Sequence, residues 1–269
     1  MLDFFTRSVQ VDCSQSSVSI RYRDRFTRRT HQQSSVHRFD EHATISGMTE
    51  VLRAMLDEMR CRRALTTVTL CDAWCRLFVV TPPANALHRR DCDAALSMRF
   101  HDLFGDAQDT WIIQADWQLD APFLCAAMPR ALHAALLEIG ARYQLRYTGI
   151  TPQSIAAWNR WHKQVQKGDW FGVVCEDRLT VISTNIHQLS ATFYQRLSQQ
   201  NRHDDEWLIA YVSREALRRN LPLPARIVLC GDVPIVWMHP NNNSLPCVVL
   251  TNTSDLPLDA VPASEEVIA

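Results

Sequence analysis

One pattern in this chain starts twice, and that repeat limits the folds open to it. Val9 to Cys13 alternates as a strand, Ser14 to Ser17 is a polar turn, and Val18 to Arg23 returns as a second strand. Roughly 160 residues later, Trp170 to Cys175 is again a strand, Glu176-Asp177-Arg178 a tight turn, and Leu179 to Ser183 its partner. Each hairpin leads into helix and strand material. A recurring hairpin-led unit favours two related α/β domains with mixed sheets. A chain of 269 residues is long enough to bury a core in each.

The intervening pattern fills in the units. Met48, Val51, Leu52, Met55, Leu56 and Met59 share one helical face and read as core. Thr66 to Leu70, Arg76 to Thr81, Trp111 to Trp117, Phe123 to Met128 and Leu145 to Ile150 read as strands. His88 to Phe104 reads as a helix closed by Gly105, and Pro129 and Pro152 each open a helix. Arg21 to Arg38 has no period and reads as a solvated connection, with a nucleic-acid patch as the alternative use of its arginines. After Ser183 a polar, helix-like region runs to about Arg202, and Asp204 or Asp205 caps a helix to about Arg219. Arg226 to Cys230 and Val248 to Thr251 complete the strands. The expected division is a first domain at 1–166 with an inserted subdomain at about 66–150, a second domain at 167–252, and a disordered acidic tail at 253–269.

Global properties exclude several classes. The net charge of −1 gives no reason to expect a polyanion partner. No apolar run approaches the ~20 residues of a membrane span, and Met1 to Val11 lacks the pattern of a signal peptide, so the expected location is the cytoplasm. The nine cysteines sit mostly in apolar runs, as free thiols do in a reducing compartment. Cys71 and Cys75 are the one close pair, but nothing nearby completes a zinc site. His203 beside Asp204, Asp205 and Glu206 is read as a charged helix start, not a cation site. No metal is expected.

Seven glycines are too few for a Walker or dinucleotide loop. One segment still has the layout of a phosphate turn. In Val9 to Ile20 a strand, an acid, a run of small hydroxyl residues and a returning strand follow one another. Such a site needs backbone N–H groups aimed at phosphate and an acid acting through magnesium-bound water. Asp12 is the acid, and Ser14, Ser16 and Ser17 form the turn. Ser14 stands where a glycine would allow positive φ and close approach. An ordinary serine-rich hairpin is the competing interpretation.

Phe123 to Leu132 reads Phe-Leu-Cys-Ala-Ala-Met-Pro-Arg-Ala-Leu. Leu136 to Tyr143 follows as Leu-Leu-Glu-Ile-Gly-Ala-Arg-Tyr, and Thr148 to Asn159 as Thr-Gly-Ile-Thr-Pro-Gln-Ser-Ile-Ala-Ala-Trp-Asn. This resembles the actin-like cytoplasmic proteins of bacterial type IV pilus and type II secretion machines, the PilM, MshI and GspL group. The resemblance covers about Val9 to Asp232 in layout, and Thr66 to Asn159 in residue detail.

The resemblance implies a duplicated two-domain actin-like (RNase H-like) α/β fold. It also implies a scaffold role at the inner membrane face, with a single-pass platform protein as partner, a homo-oligomer as a further option, and no nucleic acid. It puts Gly231 where an adenosine-contacting glycine pair would lie. The chain departs from the pattern at Cys175-Glu176-Asp177-Arg178, which has no glycine, and at Asp232, which follows Gly231. Asp12, Ser14, Ser16, Ser17 and Gly231 are therefore expected to be a vestigial nucleotide site, without catalysis and without a resident cofactor, ATP with magnesium being doubtful. The alternative is an actin-fold ATPase or small-molecule kinase.

Overall fold

Alternation in the opening hairpin sets the first sheet. In β1 (Arg7–Cys13) Val9, Val11 and Cys13 are buried, and in β2 (Ser17–Asp24) so are Val18 and Ile20. The strands are antiparallel, with Val11 opposite Ile20 and Asp12 opposite Ser19. Period two thus points Asp12 away from the face that holds the valines. The computed structural model describes residues 7–24, 31–40, 42–185, 188–238 and 245–251.

β3 (His31–Arg38) pairs antiparallel with β2 along its whole length. This corrects the expectation of a solvated connection for 21–24 and 31–38, while 25–30 lie outside the described residues. The segment lacks a hydrophobic period because β3 is an outer strand, held by its backbone ladder while Val36 stays 62% exposed. Helix α1 (Ile45–Glu58) follows, capped by the Thr44 hydroxyl accepting from the Gly47 N–H at 3.1 Å. It buries Met48, Leu52, Met55 and Leu56. β4 (Leu65–Leu70) then runs parallel to β1, with Val68 beside Val11.

Between β4 and the next helix lies a smaller unit: β5 (Arg76–Val80), α2 (Arg89–Phe104), β6 (Trp111–Ala115) and β7 (Phe123–Pro129). Its strands form a separate antiparallel sheet in the order β5-β7-β6. Phe78, Phe100 and Phe123 fill its own core, each worth about 1.5–3 kcal/mol when fully buried. Gly105 closes α2 in the left-handed region at φ 67°.

The chain returns to the first sheet through α3 (Arg130–Tyr143) and β8 (Arg146–Pro152), which pairs parallel with β4. The range of about 66–150 expected for the insert therefore takes in β4 and β8. Both belong to the first sheet, whose order is β3-β2-β1-β4-β8.

Helix α4 (Gln153–Trp161) leads to the second half. There β9 (Trp170–Cys175), β10 (Arg178–Asn185), β11 (Gln188–Arg196), β12 (Ile227–Gly231) and β13 (Cys247–Leu250) form a sheet ordered β11-β10-β9-β12-β13. The order repeats that of the first sheet, with the same two antiparallel and two parallel junctions. β9 is a continuous apolar run because both its faces are covered. Trp170 and Val174 face the cluster built with α6 (Trp207–Arg219), while Phe171 and Val173 face Trp158 and Trp161 of α4.

The polar, helix-like stretch expected up to Arg202 is instead mostly β11. Phe193 points into the core and Tyr194 is 62% exposed, the alternation of an edge strand. Only α5 (Gln199–His203) is helical there. Asp204 caps α6, its Oδ1 accepting from the N–H groups of Glu206 and Trp207 at 3.0 and 3.1 Å. The tail expected at 253–269 lies outside the described residues.

Candidate functional site

The two leading hairpins meet at their turns. In the first, Ser14 closes the turn on itself. Its N–H donates to Ser17 O at 2.8 Å, and its Oγ accepts from the Ser17 N–H at 2.8 Å. The carbonyls of Gln15 and Ser16 accept from the N–H groups of Ala43 and Phe39. The Ser16 N–H points across to the second hairpin and donates to Glu176 Oε1 at 2.9 Å, and the Ser16 hydroxyl donates to the same oxygen. Glu176 has φ 53° in the β9–β10 turn, which projects its carboxylate toward the serines. Turn donors of the kind a phosphate would use therefore hold an internal carboxylate.

Asp12 lies beside this contact. Its Oδ1 accepts from Gln10 Nε2 at 3.2 Å, and its Oδ2 accepts from the Ser19 hydroxyl and Arg21 Nη2, both at 3.3 Å. The ion pair is part-exposed, so its contribution to stability is at most about 1 kcal/mol. It does place a cation on one oxygen of the acid.

Gly231 ends β12 at φ 91°, and a Cβ there would lie 2.1 Å from Val174 O. Glycine is required at this point by the close approach of β12 to β9. Asp232 N–H donates to the same Val174 carbonyl at 2.9 Å.

The five sequence candidates line two adjoining cavities. One, of about 510 Å³, is bounded by Asp12, Arg21, Gln153, Arg160, Trp161 and Gly231. The other, of about 360 Å³, carries Asp12, Ser14, Ser16, Ser17, Cys71 and Glu176. Asp12, Arg21, Thr69 and Gln153 border both.

Sequence reasoning missed Glu176 as a contact, Arg21 as a partner of Asp12, and Gln153. For Arg21 a signal existed, since a hairpin pairs residues around a short turn. For Glu176 there was none, because the contact spans 160 positions. The cysteine reading also changes. The thiol beside Cys71 belongs to Cys175, with the sulfurs 3.5 Å apart. Asp72, in the short turn between β4 and β5, is buried and accepts from Ser154 N–H and Oγ at 3.1 and 3.0 Å, pinning the start of α4. Burial pushes its carboxyl above the ordinary value, and the hydrogen bonds from Ser154 pull it back.

No family model matches the chain, and no curated protein matches it. Solved structures do. A Bacteroides thetaiotaomicron protein of actin-like ATPase fold and unknown function is 11% identical with a TM-score of 0.58, over 93% of this chain and 94% of that one. The fold is actin-like. The cytoplasmic domain of EpsL, an inner-membrane component of the Vibrio cholerae type II secretion system, matches at 12% identity and TM-score 0.52, over 91% and 82% of the two chains. The PilM–PilN type IV pilus biogenesis complex matches at 10% identity and TM-score 0.57, over 86% and 82%. Two of these neighbours come from the secretion and pilus systems whose proteins the sequence resembles, and at 10–12% identity the likeness is one of fold. In actin-like terms, the two cavities occupy the junction of the two repeated halves, on the hairpin-turn side of both sheets. Among the described residues no helix is long and apolar enough to cross a membrane, and no group of three or more His, Cys, Asp or Glu is placed to hold a metal.

Proposed function

We propose that this protein is a non-catalytic, actin-like scaffold of a bacterial type IV pilus or type II secretion platform. It works in the cytoplasm, at the inner membrane face, by binding the cytoplasmic segment of a single-pass membrane partner. The observation that carries the non-catalytic part is the Glu176 carboxylate seated on the Ser16 donors. A triphosphate entering there would have to displace one anion and overcome the repulsion of another, Asp12. The N–H groups of Ser14, Ser16 and Ser17, which would offset its desolvation, are already in use.

The scaffold part rests on the neighbours of known setting and on strands that are outermost among the described residues. β3, β8, β13 and β6 are outer strands of their sheets. Beside β8 an open groove of about 620 Å³ is lined by Leu137, Gly140, Ala141 and Tyr147. A peptide added to such an edge gains main-chain hydrogen bonds and side-chain pockets together.

Affinity capture with the single-pass inner-membrane proteins of the source cell tests the reading. Co-purification of one of them is the expected result, and recovery of soluble metabolic enzymes alone would overturn it. The ATPase or kinase alternative has its own measurement. Calorimetry with ATP and magnesium should give no micromolar binding. Tight binding abolished by Asp12→Ala would establish the alternative.

A further inference from the structure

We propose that Cys71 and Cys175 are an oxidation site: a dithiol that closes to an intramolecular disulfide joining the two halves of the fold. Cys71 follows β4 in the first half, and Cys175 ends β9 in the second. Their sulfurs lie 3.5 Å apart, with the Cys175 thiol donating to Cys71 Sγ. Glu176 Oε2 lies 4.0 Å from Cys71 Sγ as an acceptor for its proton. Both residues line the open cavity of about 360 Å³ beneath the serine turn, where Cys175 is the thiol a small oxidant meets and Cys71 lies buried behind it. Cys175 is the more exposed of the two.

Proximity selects this pair, and acidity does not. Burial pushes the Cys13 and Cys230 thiols up to about 12 and Cys75 well above its ordinary value. The hydrogen bond to Cys71, then burial, raises Cys175 also. The thiolate is the reacting form, so closure is slow at neutral pH and accelerates as pH rises.

The oxidant class is a small-molecule disulfide. The Cys175 thiolate attacks one of its sulfurs, forming a mixed disulfide and releasing one thiol. Cys71 then attacks the Cys175 sulfur, its proton passing to the Glu176 carboxylate. The mixed disulfide breaks and the second thiol leaves. Two cysteine thiols are oxidised and one disulfide is reduced to two thiols. Against a reducing thiol pool the pair stays open, and it closes as the pool is oxidised. The closed bond would tie the end of β4 to the end of β9, directly below the Ser16–Glu176 contact.

The test uses the full chain and oxidised glutathione as probe. After incubation at several pH values, free thiols are alkylated and the unreduced digest is mapped by mass spectrometry. The expected result is a Cys71–Cys175 linked peptide, two of the nine thiols lost, a rate that rises about tenfold per pH unit below the thiol pKa, and a melting temperature that rises on oxidation and returns with dithiothreitol. Cys75→Ser should leave the link intact. A link from Cys71 to Cys13 or Cys75 would overturn the proposal. So would a Cys175 glutathione adduct with Cys71 still alkylatable. The wild-type map needs no variant to fold, and it reads the packing of the halves, so it stands whether or not the scaffold reading does.

Discussion

The β1–β2 and β9–β10 hairpins hold the same place in two sheets of identical order, yet their turns have opposite chemistry. The first turn is built from serines. It closes on its own hydroxyl and leaves Ser16 as an outward donor. The second is a tight turn that offers carboxylates. Glu176 reaches Ser16, and Asp177 accepts from Arg196 Nε. Two donor turns facing each other would jointly surround an anion between the halves. A donor turn facing an acceptor turn joins the halves directly. One repeated topology can therefore support either a ligand cleft or an internal latch, and the side chains of two short turns decide which.

The ends of the fourth strands differ as well, and the largest predicted effect lies there. β12 ends in Gly231 against Val174 O, whereas its counterpart β4 runs on into Cys71. Gly231→Ala should cost about 3 kcal/mol, from left-handed strain together with the clash, as read by urea unfolding. A change within about 0.5 kcal/mol would show that the two strand ends are equivalent.

Asp72→Ala is next. It leaves the buried Ser154 N–H without its acceptor and should cost about 1–3 kcal/mol. Asp72 also has a pH signature. Its folded carboxyl is held above the ordinary 3.8, chiefly by burial. The native state therefore binds this proton more tightly than the unfolded chain. The resulting stability is fully present below 3.8 and is lost as pH rises through the raised native value. Asp72→Asn keeps an acceptor for Ser154 and removes the titration, so its stability profile should be flatter across that window.

A double-mutant cycle on Ser16→Ala and Glu176→Gln measures the hydroxyl–carboxylate part of the latch, since the Ser16 N–H remains in both variants. The contact is exposed, so a coupling of at most about 1 kcal/mol is expected. A coupling of zero would mean that the Ser16 hydroxyl adds nothing to the bond from the Ser16 N–H. The smallest effect belongs to Asp12→Ala, which should change stability by less than about 0.5 kcal/mol.

Much of the fold was legible because its signal is local. The alternation of Val9, Val11 and Cys13, and the helical spacing of Met48, Leu52 and Met55, reflect burial by elements a few residues apart. β3 and β11 were not legible. Edge strands are held by backbone pairing, which leaves little mark on side-chain pattern. The range expected for the insert takes in β4 and β8, which pair in the first sheet and look like any strand until their neighbours are known.

The site divides in the same way. Asp12 and the serine turn stood out because a strand, an acid and small hydroxyls were contiguous. Gly231 stood out through the resemblance, and the structure adds a packing reason for it in the Val174 carbonyl. Cys71 was matched to Cys75 by spacing alone, while the thiol that donates to its sulfur, 3.5 Å away, is that of Cys175.

By itself the sequence determined two hairpin-led units and the polarity of each turn, because strand alternation and turn composition act over a few residues. Only the tertiary structure decided that Ser16 meets Glu176 and Cys71 meets Cys175. Those contacts arise where two separately folded sheets come together, and no local pattern encodes the distance between them.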